Sequence, residues 1–203
     1  IYVIEQLPKK DENVKGGWQG FMRGRLMNVG YLEFGKFFKY AAYHDVDMYV
    51  MTDLGVYKKK ITEMGRLYDN EGVYAYRRPD NPTQICTRAS QFIWKLPYPR
   101  FMGGVTLFTK EQFEGFGGYS NEISSYGNED DDLYNAVTKA GYTIDHRNCY
   151  FMCEDHHRQI VPELFREGRK IVNEGRNPND KLELTPYIVK DLKVEKGYTK
   201  LTV

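Results

Sequence analysis

No stretch of this 203-residue chain approaches the roughly 20 consecutive apolar residues that a membrane-spanning helix requires; runs such as Met48 to Met51 are far shorter. There is no basic, apolar leader either. The chain opens at Ile1 on Tyr-Val-Ile, already inside what reads as a strand and with no Met. The expectation is a piece of a longer protein, with any stem or anchor outside it. Cysteine is scarce: Cys86, Cys149 and Cys153 cannot form a paired disulfide framework. Asn81-Pro82-Thr83 fails as a glycosylation acceptor because its middle residue is proline. Both features favour a reducing compartment, the cytoplasm. An excess of one charge sign is also missing. Lys plus Arg is 29 against 28 Asp plus Glu, a net charge of +1, which argues against coating nucleic acid or an anionic membrane. No repeat and no low-complexity stretch interrupts the chain.

What is present is enough apolar and aromatic side chain, 41% and 15%, to build a packed core over residues 1–203 as one domain. Ile1 to Ile4 reads as a short buried strand. From Gly20 to Ala42 the apolar residues Phe21, Met22, Leu26, Val29, Leu32 and Phe37 recur mostly at three and four, which is helical. Gly24, Gly30 and Gly35 each weaken such a helix by about 1 kcal/mol relative to Ala, so close packing is expected there. Asp47 to Met51 is a second strand. Gly55 to Thr87 reads as an irregular excursion with a hairpin around Gly72.

Gly103 to Phe108 reads as a strand, and Thr109-Lys-Glu-Gln112 has the form of a capping box opening a short helix that ends at Gly117-Gly118. A second helix begins near Asn128, buries Leu133, Tyr134 and Val137, and stops at Gly141. Thr143-Ile144, Tyr150 to Cys153 and Tyr198 to Val203 read as strands, and Val161 to Val172 as a helix with Pro162 in its first turn. Alternating strands and helices predict an α/β sandwich with a mostly parallel sheet.

Three clusters carry chemistry. Asp45-Val46-Asp47 places two carboxylates at i and i+2 beside a strand, where both can reach a hard divalent cation that bridges phosphate oxygens. Glu129-Asp130-Asp131-Asp132 sets four carboxylates in a first helical turn. They complement the helix dipole, but two would suffice for that, and crowding by like charge suits a general base. Met152 with Glu154-Asp155-His156-His157 offers a thioether and imidazoles to a borderline ion. Adjacent histidines in a strand face opposite sides, so one of the two is expected at a given site. The Gly103-Gly104 pair permits close approach to the backbone.

The residues resemble the β-1,4-galactosyltransferase catalytic domain in order along the chain. They are Ile1-Tyr-Val-Ile-Glu-Gln6; Phe21-Met-Arg23 followed by Leu26-Met-Asn-Val-Gly30; His44-Asp-Val-Asp47; Leu96-Pro-Tyr98 with Phe101-Met-Gly-Gly-Val105; Phe116-Gly-Gly-Tyr-Ser-Asn121; Gly127-Asn-Glu-Asp-Asp-Asp132; and the tail Tyr187 to Val203. The resemblance implies a GT-A fold, a three-layer α/β sandwich, with the family's first strand upstream of Ile1. It implies inverting transfer of a hexose, galactose or N-acetylgalactosamine, from a UDP-sugar donor to a carbohydrate or glycoconjugate acceptor. Mn²⁺ would assist, with Mg²⁺ as the alternative.

By the same resemblance, Asp130 would be the catalytic base and Asp47, Met152 and His156 the metal ligands. Arg23, Asp45, Val46, Gly104 and Glu129 would line the donor. Tyr126, Asp131 and Phe101 would face the acceptor. Tyr126 stands where the family carries Trp. Phe101 stands where a Tyr helps tell the two donor sugars apart. Met152 and His156 are four apart where the family has three, which leaves His157 and Asp155 open as ligands. The resemblance also points to the Golgi lumen, against the cytoplasm favoured by the cysteine and sequon counts. Two other readings compete: a sugar- or partner-binding domain without catalysis, and a metal-dependent phosphoesterase using the same acids.

Overall fold

The computed structural model describes residues 1–7, 20–51, 72–124, 126–155 and 160–203. Its strands, numbered along the chain, are β1 (Tyr2–Glu5), β2 (Tyr40–His44), β3 (Met48–Val50), β4 (Thr83–Gln84), β5 (Arg88–Ala89), β6 (Val105–Thr109), β7 (Asp145–His146), β8 (Tyr150–Cys153), β9 (Asp191–Glu195) and β10 (Tyr198–Thr202). The α-helices are α1 (Arg23–Glu33), α2 (Lys110–Gly115), α3 (Glu129–Lys139) and α4 (Pro162–Glu174). Among the described residues no helix is long and apolar enough to cross a membrane.

The strands form three sheets, in the orders β1-β10-β9, β2-β6-β4-β7 and β3-β8-β5. The mostly parallel sheet expected from the sequence is corrected to a mixed one. β1/β10, β4/β7 and β5/β8 run parallel, whereas β9/β10, β2/β6, β4/β6 and β3/β8 run antiparallel. A two-residue turn at Lys196-Gly197 joins β9 to β10, and only an antiparallel pair can be closed so tightly. β1 is only partly covered, because β10 is its one strand neighbour among the described residues.

β6 organises the interior. All five of its residues are buried, and its side chains alternate between two cores. Val105 and Leu107 face a cluster with Met48, Ile85, Cys86, Ala89, Cys149 and Phe151. Phe108 faces the other, with Tyr31, Tyr43, Met102, Phe113, Phe116, Tyr119, Leu133 and Val137. α2 starts as its sequence requires: Thr109 Oγ1 accepts from the Gln112 amide at 3.2 Å, and Gln112 Oε1 accepts from the Thr109 amide at 2.9 Å.

The helix read over Gly20 to Ala42 is shorter. α1 ends at Glu33, a 3₁₀ turn covers Gly35–Phe37, and β2 follows. Pairing with β6 buries Tyr43 opposite Thr106, and this tertiary contact outweighs the residual helical spacing of Phe37. The close packing expected at the glycines of α1 is real at Gly24. A Cβ there would sit 2.8 Å from the Ser120 carbonyl oxygen and 3.1 Å from Tyr119 Cβ. The hairpin expected around Gly72 is a 3₁₀ turn over Gly72–Tyr76 where it is described; 52–71 lie outside the described residues.

Candidate active site

Two of the three clusters converge on one guanidinium. Arg23 opens α1, Asp45 follows β2, and Asp130 lies in the first turn of α3. Arg23 Nε donates to Asp45 Oδ1 at 2.6 Å, and Arg23 Nη1 reaches Asp130 Oδ1 at 3.4 Å. The guanidinium stands over the Tyr119 ring, 5.7 Å from its centroid. Close approach at the glycine pair is made by the protein itself, because the Asp130 carboxylate occupies the space a Cβ at Gly103 would need. At Gly104 the corresponding space is filled by Met48 Sδ and Cys86 Sγ, while its carbonyl accepts from the Asp45 amide at 2.9 Å. Gly104 therefore packs behind the Asp45 turn.

Charge in this pocket is unbalanced. Burial, then the neighbouring Glu129, then Asp45 raise the Asp130 carboxyl well above the usual range, against the opposing pull of Arg23. Burial also raises Glu129, again opposed by Arg23. Burial works against the charge of Arg23, but Asp45 and Asp130 more than compensate and hold it firmly protonated. Arg23 Nη2 and Glu129 Oε2 are buried without a hydrogen-bond partner. Buried polar atoms are rarely left so, and here one donor, on Arg23, and one acceptor, on Glu129, lie on residues that flank Asp130.

The second acid of the turn lies beside the third cluster. Val46 is 92% exposed at the tip. Asp47 then accepts from the Glu154 amide through its carbonyl at 2.8 Å, extending the β3/β8 ladder in which Met48 faces Cys153 and Tyr49 faces Met152. Asp47, in the turn before β3, is thus brought beside β8, which carries Met152. His156 and His157 lie outside the described residues. Among the described residues, no group of three or more His, Cys, Asp and Glu is placed to hold a metal ion. The donors that are described, the Asp47 carboxylate and the Met152 thioether of β8, are of the types a borderline ion accepts.

On the other side of α3, Asp131 accepts from Arg169 Nη1 of α4 at 3.0 Å and raises the pKa of the nearby Tyr98 hydroxyl. Burial, then Asp130, then Asp131 push the Tyr98 hydroxyl up, so it stays protonated. Phe101, expected at the acceptor, is 6% exposed and wedged edge-on between Phe92 at 5.4 Å and Tyr98 at 5.6 Å. The ring that reaches the surface there is Tyr98, which Phe101 supports from behind. Tyr126 is 42% exposed.

Asp132 belongs elsewhere. Arg176 grips it through Nε at 2.9 and 3.0 Å and Nη2 at 2.6 Å, and also donates to the Gly118 carbonyl. Asn128 holds the N-cap position of α3, as expected, but its side chain does not cap; Nδ2 donates to the Phe165 carbonyl and ties α3 to α4. Sequence reasoning quoted Tyr98 inside a motif without giving it a role. It missed Arg169 and Arg176 altogether, since 38 and 44 residues separate them from their partners.

The family model described as the N-terminal domain of galactosyltransferase matches residues 83–158, the span from β4 past β8. β-1,4-Galactosyltransferase 5 of Mus musculus is 33% identical over 172 residues, 82% of this chain and 37% of that protein. β-1,4-Galactosyltransferase 6 of Mus musculus is 31% identical over 209 residues, 100% of this chain and 47% of that protein. The chain belongs to the β-1,4-galactosyltransferase family. It spans less than half the length of these curated relatives. The catalytic domain of Drosophila β1,4-galactosyltransferase 7, solved with xylobiose, superposes with a TM-score of 0.70 at 22% identity, over 100% of this chain and 78% of that one. A mutant of the Drosophila enzyme, in complex with manganese, UDP-Gal and xylobiose, gives 0.66 at 21% identity, with the same coverage. The fold is therefore the GT-A fold of galactosyltransferase catalytic domains.

Proposed function

We propose that this chain carries the catalytic machinery of an inverting, Mn²⁺-dependent galactosyltransferase that moves galactose from UDP-galactose to a sugar hydroxyl. One observation carries the reading. A half-buried carboxyl whose pKa burial and Glu129 raise, Asp130, sits at one end of the Arg23 guanidinium, whose other end holds the Asp45 turn. Family membership and the manganese, UDP-Gal and xylobiose of the Drosophila complex support it.

In the proposed reaction the acceptor hydroxyl loses its proton to Asp130 as its oxygen attacks the anomeric carbon. The bond to the diphosphate breaks on the opposite face, and UDP leaves with inversion. A base with a raised pKa accepts such a proton better than an ordinary aspartate does. Arg23 keeps Asp130 and Asp45 aligned and offers Nη2 to the donor, while Glu129 offers Oε2 to a sugar hydroxyl. Asp131, held by Arg169, would orient the acceptor beside Tyr126. Asp47, Met152 and a histidine of the 156–157 pair would hold the metal, which supplies positive charge to the leaving diphosphate when bound. By family membership the proposed place of action is the Golgi lumen.

The test is a donor screen recording UDP release from UDP-galactose, UDP-N-acetylgalactosamine, UDP-glucose and UDP-xylose, with Mn²⁺ and with EDTA. Mn²⁺-dependent release, greatest from UDP-galactose, is expected. Release from none of the four would overturn the transferase reading, and phosphate release from a monoester without acceptor would favour a phosphoesterase.

A further inference from the structure

We infer that His44, in its Nδ1–H tautomer, is a positioning residue for the Asp45–Asp47 turn, with Tyr76 fixing the ring from the far side. The inference rests on the reading above that this turn faces the donor diphosphate. The protons are ordered by the partners. Nδ1 lies 2.7 Å from the Asp45 carbonyl oxygen. A carbonyl only accepts, so Nδ1 carries the hydrogen. Nε2 then presents a lone pair, and the Tyr76 hydroxyl 2.9 Å away donates to it. Burial pushes the Tyr76 hydroxyl up, so it remains a donor.

The ring has little freedom to turn. It lies parallel to Tyr76, with an interplanar angle of 5° and centroids 6.2 Å apart, and the Phe151 ring stands across it at 5.9 Å. Tyr76 is anchored in turn, because Arg147 donates to the carbonyls of Ala75, Arg77 and Arg78 on either side of it. On the opposite side, the Asp45 amide donates to the Gly104 carbonyl at 2.9 Å. The Asp45 peptide groups are thus tied at both the amide and the carbonyl. The Asp45 carbonyl accepts twice: from the Met48 amide at 3.2 Å, which closes the turn, and from His44 Nδ1 at 2.7 Å, which adds a shorter side-chain hold on the Asp45–Val46 peptide from which Val46 and Asp47 project. An orienting partner of this kind acts through the residue it holds.

Two amide substitutions separate the roles of the two ring nitrogens. His44→Asn puts an amide nitrogen near the place of Nδ1 and keeps the donation to Asp45. His44→Gln reaches the place of Nε2 and keeps only the Tyr76 contact. Calorimetric titration with UDP in saturating Mn²⁺, and the KM and kcat for UDP-galactose, are the readouts. His44→Gln should weaken UDP binding and raise KM about tenfold, the loss expected for one hydrogen bond to an organised turn. His44→Asn should stay within about threefold of wild type. The two melting temperatures should agree.

A long-range ¹H–¹⁵N spectrum of the wild type should show Nε2 as the nitrogen without a proton. A proton on Nε2, or equal losses in the two variants that follow their melting temperatures, would overturn the inference. If the wild type binds UDP with Mn²⁺ but transfers to no acceptor, the transferase reading fails while the contrast between the variants still decides this one. Absence of UDP binding by the wild type would overturn both.

Discussion

Asp130 and Asp132 stand two residues apart in the same helical turn, yet they sit in opposite electrostatic situations. Burial raises both carboxyls. Asp132 meets a guanidinium of its own, gripped by two nitrogens of Arg176 at 2.6 to 3.0 Å. Asp130 shares Arg23 with Asp45, lies 3.4 Å from it, and has Glu129 alongside. One face of α3 is neutralised and ties the Arg176 segment and Gly118 to the helix. The other is left under-neutralised beside two buried atoms with no partner. The lesson is that a run of four acids can place one carboxylate in a compensated pair and leave its neighbour under-compensated, the kind of group we propose for proton transfer.

Removing each carboxylate in turn breaks this contrast. Asp130→Asn should lower turnover by about 10²–10⁴-fold, the range for loss of a general base, while UDP binding in Mn²⁺ persists. Steady-state transfer rates beside calorimetry check it. Asp132→Asn should do the reverse. Leaving Arg176 buried without its partner costs about 3–5 kcal/mol, lowering the melting temperature by roughly 10 °C, with turnover per folded molecule little changed.

A smaller effect has the opposite sign. A carboxyl whose folded pKa lies above its unfolded one binds its proton more tightly in the native state. Its ionisation therefore removes stability as pH rises from the unfolded pKa through the folded one. Asp130→Asn escapes that loss and should melt about 2–4 °C higher than wild type near neutral pH, for roughly 1 kcal/mol. The gain should vanish at pH low enough to protonate Asp130 in both states. Scanning calorimetry at two pH values reads this directly.

Local rules carried the reading of the chain where local forces decide. The Thr109–Gln112 capping box, the start of α3 at Glu129 and the stop near Gly141 are short-range hydrogen-bonding and backbone problems, and all three stand in the structure. The strand Tyr40–His44 was hidden because its pairing with β6 is set by residues 60 or more positions away. The acid clusters were visible as clusters, and resemblance to the family assigned their roles. That Arg23 joins the two clusters, that Asp132 serves the fold, and that Tyr98 stands in front of Phe101 follow from packing across the chain, which no spacing rule encodes.

The central claim is that Asp130 works as the base because Glu129 and burial raise its affinity for the acceptor's proton. The pH dependence of kcat/KM for galactose transfer tests it most directly, compared between wild type and Glu129→Gln. In the wild type the rate should rise with pH through an inflection above the ordinary aspartate value of about 3.9. In Glu129→Gln, with one negative neighbour gone, that inflection should move down, whatever the change in absolute rate. An inflection in the ordinary aspartate range, or one that stays in place when Glu129 is neutralised, would contradict the account.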